Sequence, residues 1–138
     1  MQNAPVLLVP ENMGEIKRIS IAYNGSKESM FAIKMFSYVF SFYSDLPVEI
    51  NYWVNKTDDE FPDFDYLEEF AGRHFSNLNF KQLFFDKEKY LTKWLSDKRD
   101  TMLVSGSYNR SAFSTWLHES FVHNAISAHT STIFIAHG

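Results

Sequence analysis

The feature that most constrains this chain is its alternation of two hydrophobic periods. Ile19, Ile21 and Tyr23 alternate with Ser20 and Ala22, which predicts a strand. Asn24-Gly25-Ser26 then offers a sharp turn and a helix cap. Ala32, Phe36, Val39 and Tyr43, with Ile33 and Phe40 beside them, follow at helical spacing. Pro47 to Val54 reads as a second strand, and the acidic stretch Asp58–Asp65 leads into a helix through Tyr66, Leu67, Phe70 and Phe75. Phe80, Leu83, Phe84 and Phe85 predict a third strand. Asp86 caps a helix carrying Tyr90, Leu91, Trp94 and Leu95. Met102-Leu103-Val104 is a short buried strand, and Ser105–Ser111 a small polar loop. A last helix runs through Trp116, Leu117, Phe121, Ala125 and Ile126, and Ile133-Phe134-Ile135 closes the pattern as a strand.

Strands alternating with helices predict an α/β fold, a mostly parallel sheet with helices on both faces, because crossovers between parallel strands are right-handed. Ligands of such sheets sit beyond the carboxyl ends of the strands, where strand order reverses. Two loops occupy that kind of position, Asn24-Gly25-Ser26 and Gly106–Ser120.

Composition narrows the function. A chain of 138 residues is the size of one domain. The absence of cysteine excludes disulfide scaffolds and thiolate metal sites. A net charge of −4 argues against binding a phosphate backbone. No apolar run is long enough for a membrane helix, and the first residues lack the pattern of a signal peptide, so the expected location is the cytoplasm. Fourteen Phe, seven Tyr and three Trp predict an aromatic core and a sticky face rather than a base-stacking surface, since basic residues do not interleave with the rings.

Catalytic chemistry finds little support. His118-Glu119 and His123 suggest a zinc helix, but residues five apart at about 100° each do not share a helix face. Ser107 and Ser120 have no base that the sequence places beside them, so no catalytic residue and no metal ligand is assigned. The acidic residues of Asp58–Glu69 and the basic ones of Lys87–Arg99 read as a solvated loop and a solvated helix, with pairing between protomers as the sharper reading.

At the two loops the chain resembles the universal stress protein family. That family opens with a strand ending V-D-G-S; here the stretch is Ile21-Ala22-Tyr23-Asn24-Gly25-Ser26-Lys27-Glu28-Ser29. Its second hallmark is a strand into G-x-x-G, then nine residues and G-[ST]. Here Gly106-Ser107-Tyr108-Asn109-Arg110-Ser111 begins it and Glu119-Ser120 ends it. The resemblance covers roughly residues 17–137. It implies a three-layer sandwich around a five-stranded parallel sheet in the order 3-2-1-4-5, with a nucleotide cleft between the first and fourth strands. Ala22, Asn24 and Val54 would line its base and ribose side, and Gly106, Asn109, Arg110, Glu119 and Ser120 its phosphate side.

The departures from the pattern matter as much. ATP-binding members carry Asp where this chain has Asn24, and glycine where it has Asn109 and Glu119. Asn tolerates the left-handed conformation such loops use, but a carboxylate at Glu119 repels a polyphosphate. The resemblance therefore implies a non-catalytic stress-response or regulatory module with a degenerate cleft and no cofactor. The alternative is a weak ATP-binding protein, with slow ATPase activity or with another small anion held by Arg110, Ser111 and Ser120.

Residues 1–15 stand apart from the domain at 16–138. Val6-Leu7-Leu8-Val9, between Pro5 and Pro10, resembles the terminal strand of a universal stress domain followed by the linker of a tandem protein. The expectation is a remnant or second half of such a protein, whose extra strand pairs antiparallel with Ile133-Phe134-Ile135 within the chain or across a homodimer.

Overall fold

The computed structural model of the chain describes residues 5–9, 15–23, 25, 27–54, 64–84, 100–106 and 132–136. The helices expected after Asp86 and around Trp116–Ile126 lie outside these residues. Six strands and two α-helices are defined among them: β1 (Val6–Leu8), β2 (Arg18–Tyr23), α1 (Lys27–Val39), β3 (Pro47–Val54), α2 (Phe64–His74), β4 (Asn77–Phe84), β5 (Thr101–Gly106) and β6 (Thr132–Ala136). One sheet runs β1-β6-β5-β2-β3-β4. The pairs β6–β5, β5–β2, β2–β3 and β3–β4 are parallel. Numbered without β1, this is the expected five-stranded order 3-2-1-4-5. β1 extends it antiparallel, with Val6 opposite Ile135, Leu7 opposite Phe134 and Leu8 opposite Ile133. The terminal segments therefore meet within one chain.

Strand β3 spans the predicted residues, while β4 begins at Asn77, earlier than the aromatic run from Phe80 suggested. The central strands are buried on both faces, which is why alternation understates them: every residue of β5 is buried, and so is every residue of β2 after Arg18. Lys17 and Arg18 donate backbone N–H to Asp100 O at 2.8 and 3.3 Å, tying the entries of β2 and β5 together.

The predicted stripe of α1 needs one correction. Its buried face is Ser29, Ala32, Ile33, Phe36 and Ser37, a spacing of three, one, three and one. Val39 is exposed and ends the helix; Tyr43 belongs to a separate 3₁₀ turn, Ser41–Tyr43. The chain tightens there because Tyr43 N–H bonds to Phe40 O at 2.9 Å and Ser44 N–H to Ser41 O at 3.1 Å. This turn brings Phe40 back over the sheet. Helix α2 buries Leu67 and Ala71, and Phe75, one residue past its end, closes the same core. Its ion pair Arg73–Glu69, 2.7 Å and exposed on both sides, adds little.

Among the described residues part of the aromatic excess is spent in this core, while Tyr38, Phe42 and Tyr66 are exposed. Phe36 lies 5.4 Å from Phe40, 5.9 Å from Phe75 and 6.3 Å from Phe134, and Phe40 stands edge-on to Phe134 at 5.2 Å. These offsets are the favoured ones for rings with negative faces and positive edges. The rings join Ile19, Ile21, Val48, Ile50, Met102 and Val104, so both helices lie on one face of the sheet.

Among the described residues no helix is long and apolar enough to cross a membrane.

Candidate functional site

Strand order reverses between β2 and β5: the chain moves from β2 toward β3 and β4, then returns to β5 and continues to β6. The carboxyl ends of these neighbours form the switch point, where a parallel sheet leaves a crevice. β2 ends at Tyr23 and is followed by Gly25, with φ of 84°, a conformation that costs glycine little and other residues more. Ala22 is fully buried beneath this turn. Gly106 ends β5 across from it, also buried. Val54 ends β3 in register with Phe84. Three of the predicted cleft residues thus occupy the carboxyl ends of β2, β3 and β5. Asn24, Asn109, Arg110, Glu119 and Ser120 lie outside the described residues.

Gly106 has a packing role. A Cβ placed on it would lie 2.6 Å from the backbone O of Glu28, 2.8 Å from that carbonyl carbon and 3.2 Å from Glu28 Cβ. Glu28 is in the first turn of α1, so the end of β5 and the start of the helix touch main chain to main chain. Neither backbone atom can swing away as a side-chain tip could. Gly106→Ala is expected to lower stability by about 1–3 kcal/mol through overpacking. The same change at Gly72, an exposed position in α2 with nothing within 4 Å of the added carbon, is expected to raise stability by about 0.5–1 kcal/mol. Urea midpoints of the two variants measure this, and equal shifts would remove the packing role.

Below Ala22, on the sheet face opposite α1 and α2, sits a polar pair that sequence reasoning missed. Asn51, fully buried in β3 and in register with Ala22, donates from Nδ2 to Ser20 Oγ at 2.8 Å and to Ile21 O at 3.3 Å. Its Oδ1 meets no donor among the described residues. The available signal was a lone amide in the middle of Pro47–Val54. Ser105 Oγ, also buried, donates to Gly106 O at 3.0 Å, and so holds the last peptide of β5.

At the other end of the sheet, over the amino ends of the strands, a cleft of about 420 Å³ is lined by Arg18, Ser20, Glu49, Asn79, Lys81 and Thr101 among others. Its cations are already engaged, Lys81 with Glu49 at 3.1 Å and Arg18 with Asp100 at 3.7 Å. It lies at the wrong end of the strands for the crevice of a doubly wound sheet. Among the described residues no group of three or more His, Asp or Glu side chains is arranged to hold a metal ion, and His118, Glu119 and His123 lie outside them.

No family model and no curated protein matches the sequence. Solved structures do match. A universal stress protein from Archaeoglobus fulgidus superposes on 99% of this chain with a TM-score of 0.61 at 17% identity, and this chain spans 50% of its length. Protein Rv1636 from Mycobacterium tuberculosis superposes on 87% of this chain and 94% of its own, with a TM-score of 0.49 at 16% identity. Strand order and the archaeal superposition agree, and the chain has the fold of the universal stress proteins.

Proposed function

We propose that this chain is a non-catalytic regulatory module of the universal stress type, acting in a cytoplasmic stress response, with a nucleotide cleft that has degenerated into scaffold. The observation that carries the reading is the contact of Gly106 with Glu28. Of the phosphate-loop glycines in the family pattern only Gly106 remains, and fold packing alone accounts for it. The other two glycines of that pattern are replaced, by Asn109 and Glu119. Retention where the core needs bare main chain, with replacement at the other two positions, is the pattern expected when binding is no longer selected. A carboxylate at Glu119 adds repulsion toward a polyphosphate, since like charges a few ångströms apart in a partly desolvated site repel by several kcal/mol.

The second reading, weak ATP binding with slow hydrolysis, draws on Ser120, which persists in the loop, on Arg110 as compensation for the lost glycines, and on the left-handed Gly25 at the end of β2. Titration calorimetry with Mg-ATP separates the two. The expected result is no micromolar binding by the wild type and a gain in the double variant Asn109→Gly/Glu119→Gly. Micromolar affinity in the wild type, unchanged by the double substitution, would establish the second reading instead.

A further inference from the structure

The cleft over the amino ends of the strands takes no part in the reading proposed above. Its floor and walls follow from alternation within the strands. In β4, Leu78 and Phe80 pack against the core, so Asn77, Asn79 and Lys81 stand on the opposite face. Register carries that face across the sheet: Asn77 lies beside Pro47, Asn79 beside Glu49, Glu49 beside Ser20, and Arg18 beside Thr101. Two rows of side chains result, about 7 Å apart along the strands. The cleft of about 420 Å³ is lined by them, a volume within the range of about 300–1,000 Å³ usual for small-molecule sites.

The charges of this cleft cancel in pairs, Lys81 with Glu49 at 3.1 Å and Arg18 with Asp100 at 3.7 Å. An anion would have to draw a cation away from its acid, and a cation an acid from its base, each leaving a charge unpaired. An aromatic ligand finds no ring among the lining residues to stack on. Neutral hydrogen-bonding groups remain open. Ser20 and Thr101, 3% and 1% exposed, bring hydroxyls to the floor. Asn51 Nδ2 donates to Ser20 Oγ at 2.8 Å, so Ser20 keeps its own proton to give, and among the described residues that proton meets no acceptor. The carboxamides of Asn77 and Asn79 stand exposed at the rim, each with two hydrogens to donate and an oxygen to accept. A ligand hydroxyl answers either kind of group, since it gives one hydrogen bond and takes two.

We propose that this cleft is a binding site for a small, neutral, polyhydroxylated molecule, a sugar ring or cyclic polyol. Ser20 donates to it from the floor, Glu49 accepts from it, and Asn77 and Asn79 hold it from the rim. Each of these hydrogen bonds replaces one to water, so the affinity is modest, about millimolar. The site lies at the opposite end of the strands from Gly25 and Gly106, and its occupancy does not depend on a nucleotide.

Amide NMR shifts of the isotope-labelled full chain, titrated with myo-inositol and with glucose, test this. At least one of the two is expected to give saturable shifts at Ile19, Ser20, Glu49, Asn79 and Thr101, half-complete at about 1–10 mM. Asn77→Ala/Asn79→Ala is expected to weaken that binding about tenfold, the loss of two neutral hydrogen bonds. Both positions are exposed, and amide shifts away from β4 report that the variant is folded. Should it fold poorly, Asn79→Ala alone takes its place, with an expected loss of about threefold. Shifts that stay linear in concentration with both probes overturn the proposal, as does saturation centred on Tyr23, Gly25 and Gly106, or an affinity that the substitution leaves unchanged. Inorganic phosphate or glycine saturating the same amides at lower concentration also overturns it, since the charged side chains would then be what recognises the ligand.

Discussion

Phe36→Ala is expected to lower the stability of the chain by about 3–5 kcal/mol, the range for deleting a buried aromatic ring. Phe36 is fully buried and sits where both helices meet the sheet, 5.4, 5.9 and 6.3 Å from the rings of Phe40, Phe75 and Phe134. Those partners come from the end of α1, the end of α2 and β6, so the void opens at a junction of three elements. Collapse of one element cannot fill it without pulling on the others. Against a typical total of about 5–15 kcal/mol, the loss approaches unfolding at body temperature. Phe36→Leu keeps most of the volume and is expected to cost under about 2 kcal/mol. Denaturant titrations of both variants provide the comparison, and similar midpoints for Ala and Leu would show that the ring cluster is looser than its geometry implies.

Asn51→Asp is expected to be as damaging at neutral pH and nearly silent in acid. Asn51 is fully buried, and its neighbours Ser20 Oγ and Ile21 O are placed as acceptors of its amide hydrogens. A carboxylate there loses hydration and faces oxygen lone pairs, and both effects favour its protonated form and raise its folded-state pKa. The unfolded chain releases that proton near pH 3.9, so above that pH the folded state holds a proton the unfolded state has lost. Stability relative to the wild type then falls as pH rises, by about 1.4 kcal/mol per unit above about pH 4, reaching about 4 kcal/mol at pH 7. Below about pH 4 the side chain is neutral in both states and the difference shrinks toward that of an amide-to-acid swap. Urea unfolding of both proteins from pH 4 to pH 7 reads this slope directly. A gap that does not change with pH would mean that water reaches the site.

These two positions also show why some of the molecule was legible in its sequence and some was not. The parallel α/β class could be read because it follows from connection rules acting on an alternation that the apolar residues spell out from Ile19 to Ile135, whereas the strand order came from the resemblance of the two loops to the universal stress proteins. The extra strand could be read from the likeness of Val6-Leu7-Leu8-Val9 to the terminal strand of a universal stress domain, and it does pair with β6. The end of α1 could not, because Val39 and Tyr43 continue the helical spacing while the backbone has already tightened at Ser41; periodicity registers side chains and not hydrogen bonds. The duty of Gly106 was equally hidden. Its place in a loop pattern suggested a ligand, whereas the demand on it comes from Glu28, 78 positions earlier in the chain. Asn51 was invisible for a third reason: an amide in a largely apolar strand carries no sign of whether it faces solvent or, as it does, Ser20.

The antiparallel direction of β1 limits how this architecture can be enlarged. A doubly wound sheet grows by adding strand–helix units, each new strand running with its neighbour so that the crossover keeps its hand. Beside β6 the next lane is already filled by a strand running the opposite way. Accretion on that flank is therefore blocked, and insertions that add whole strand–helix units can be accommodated only past β4 or in the loops at the two ends of the strands.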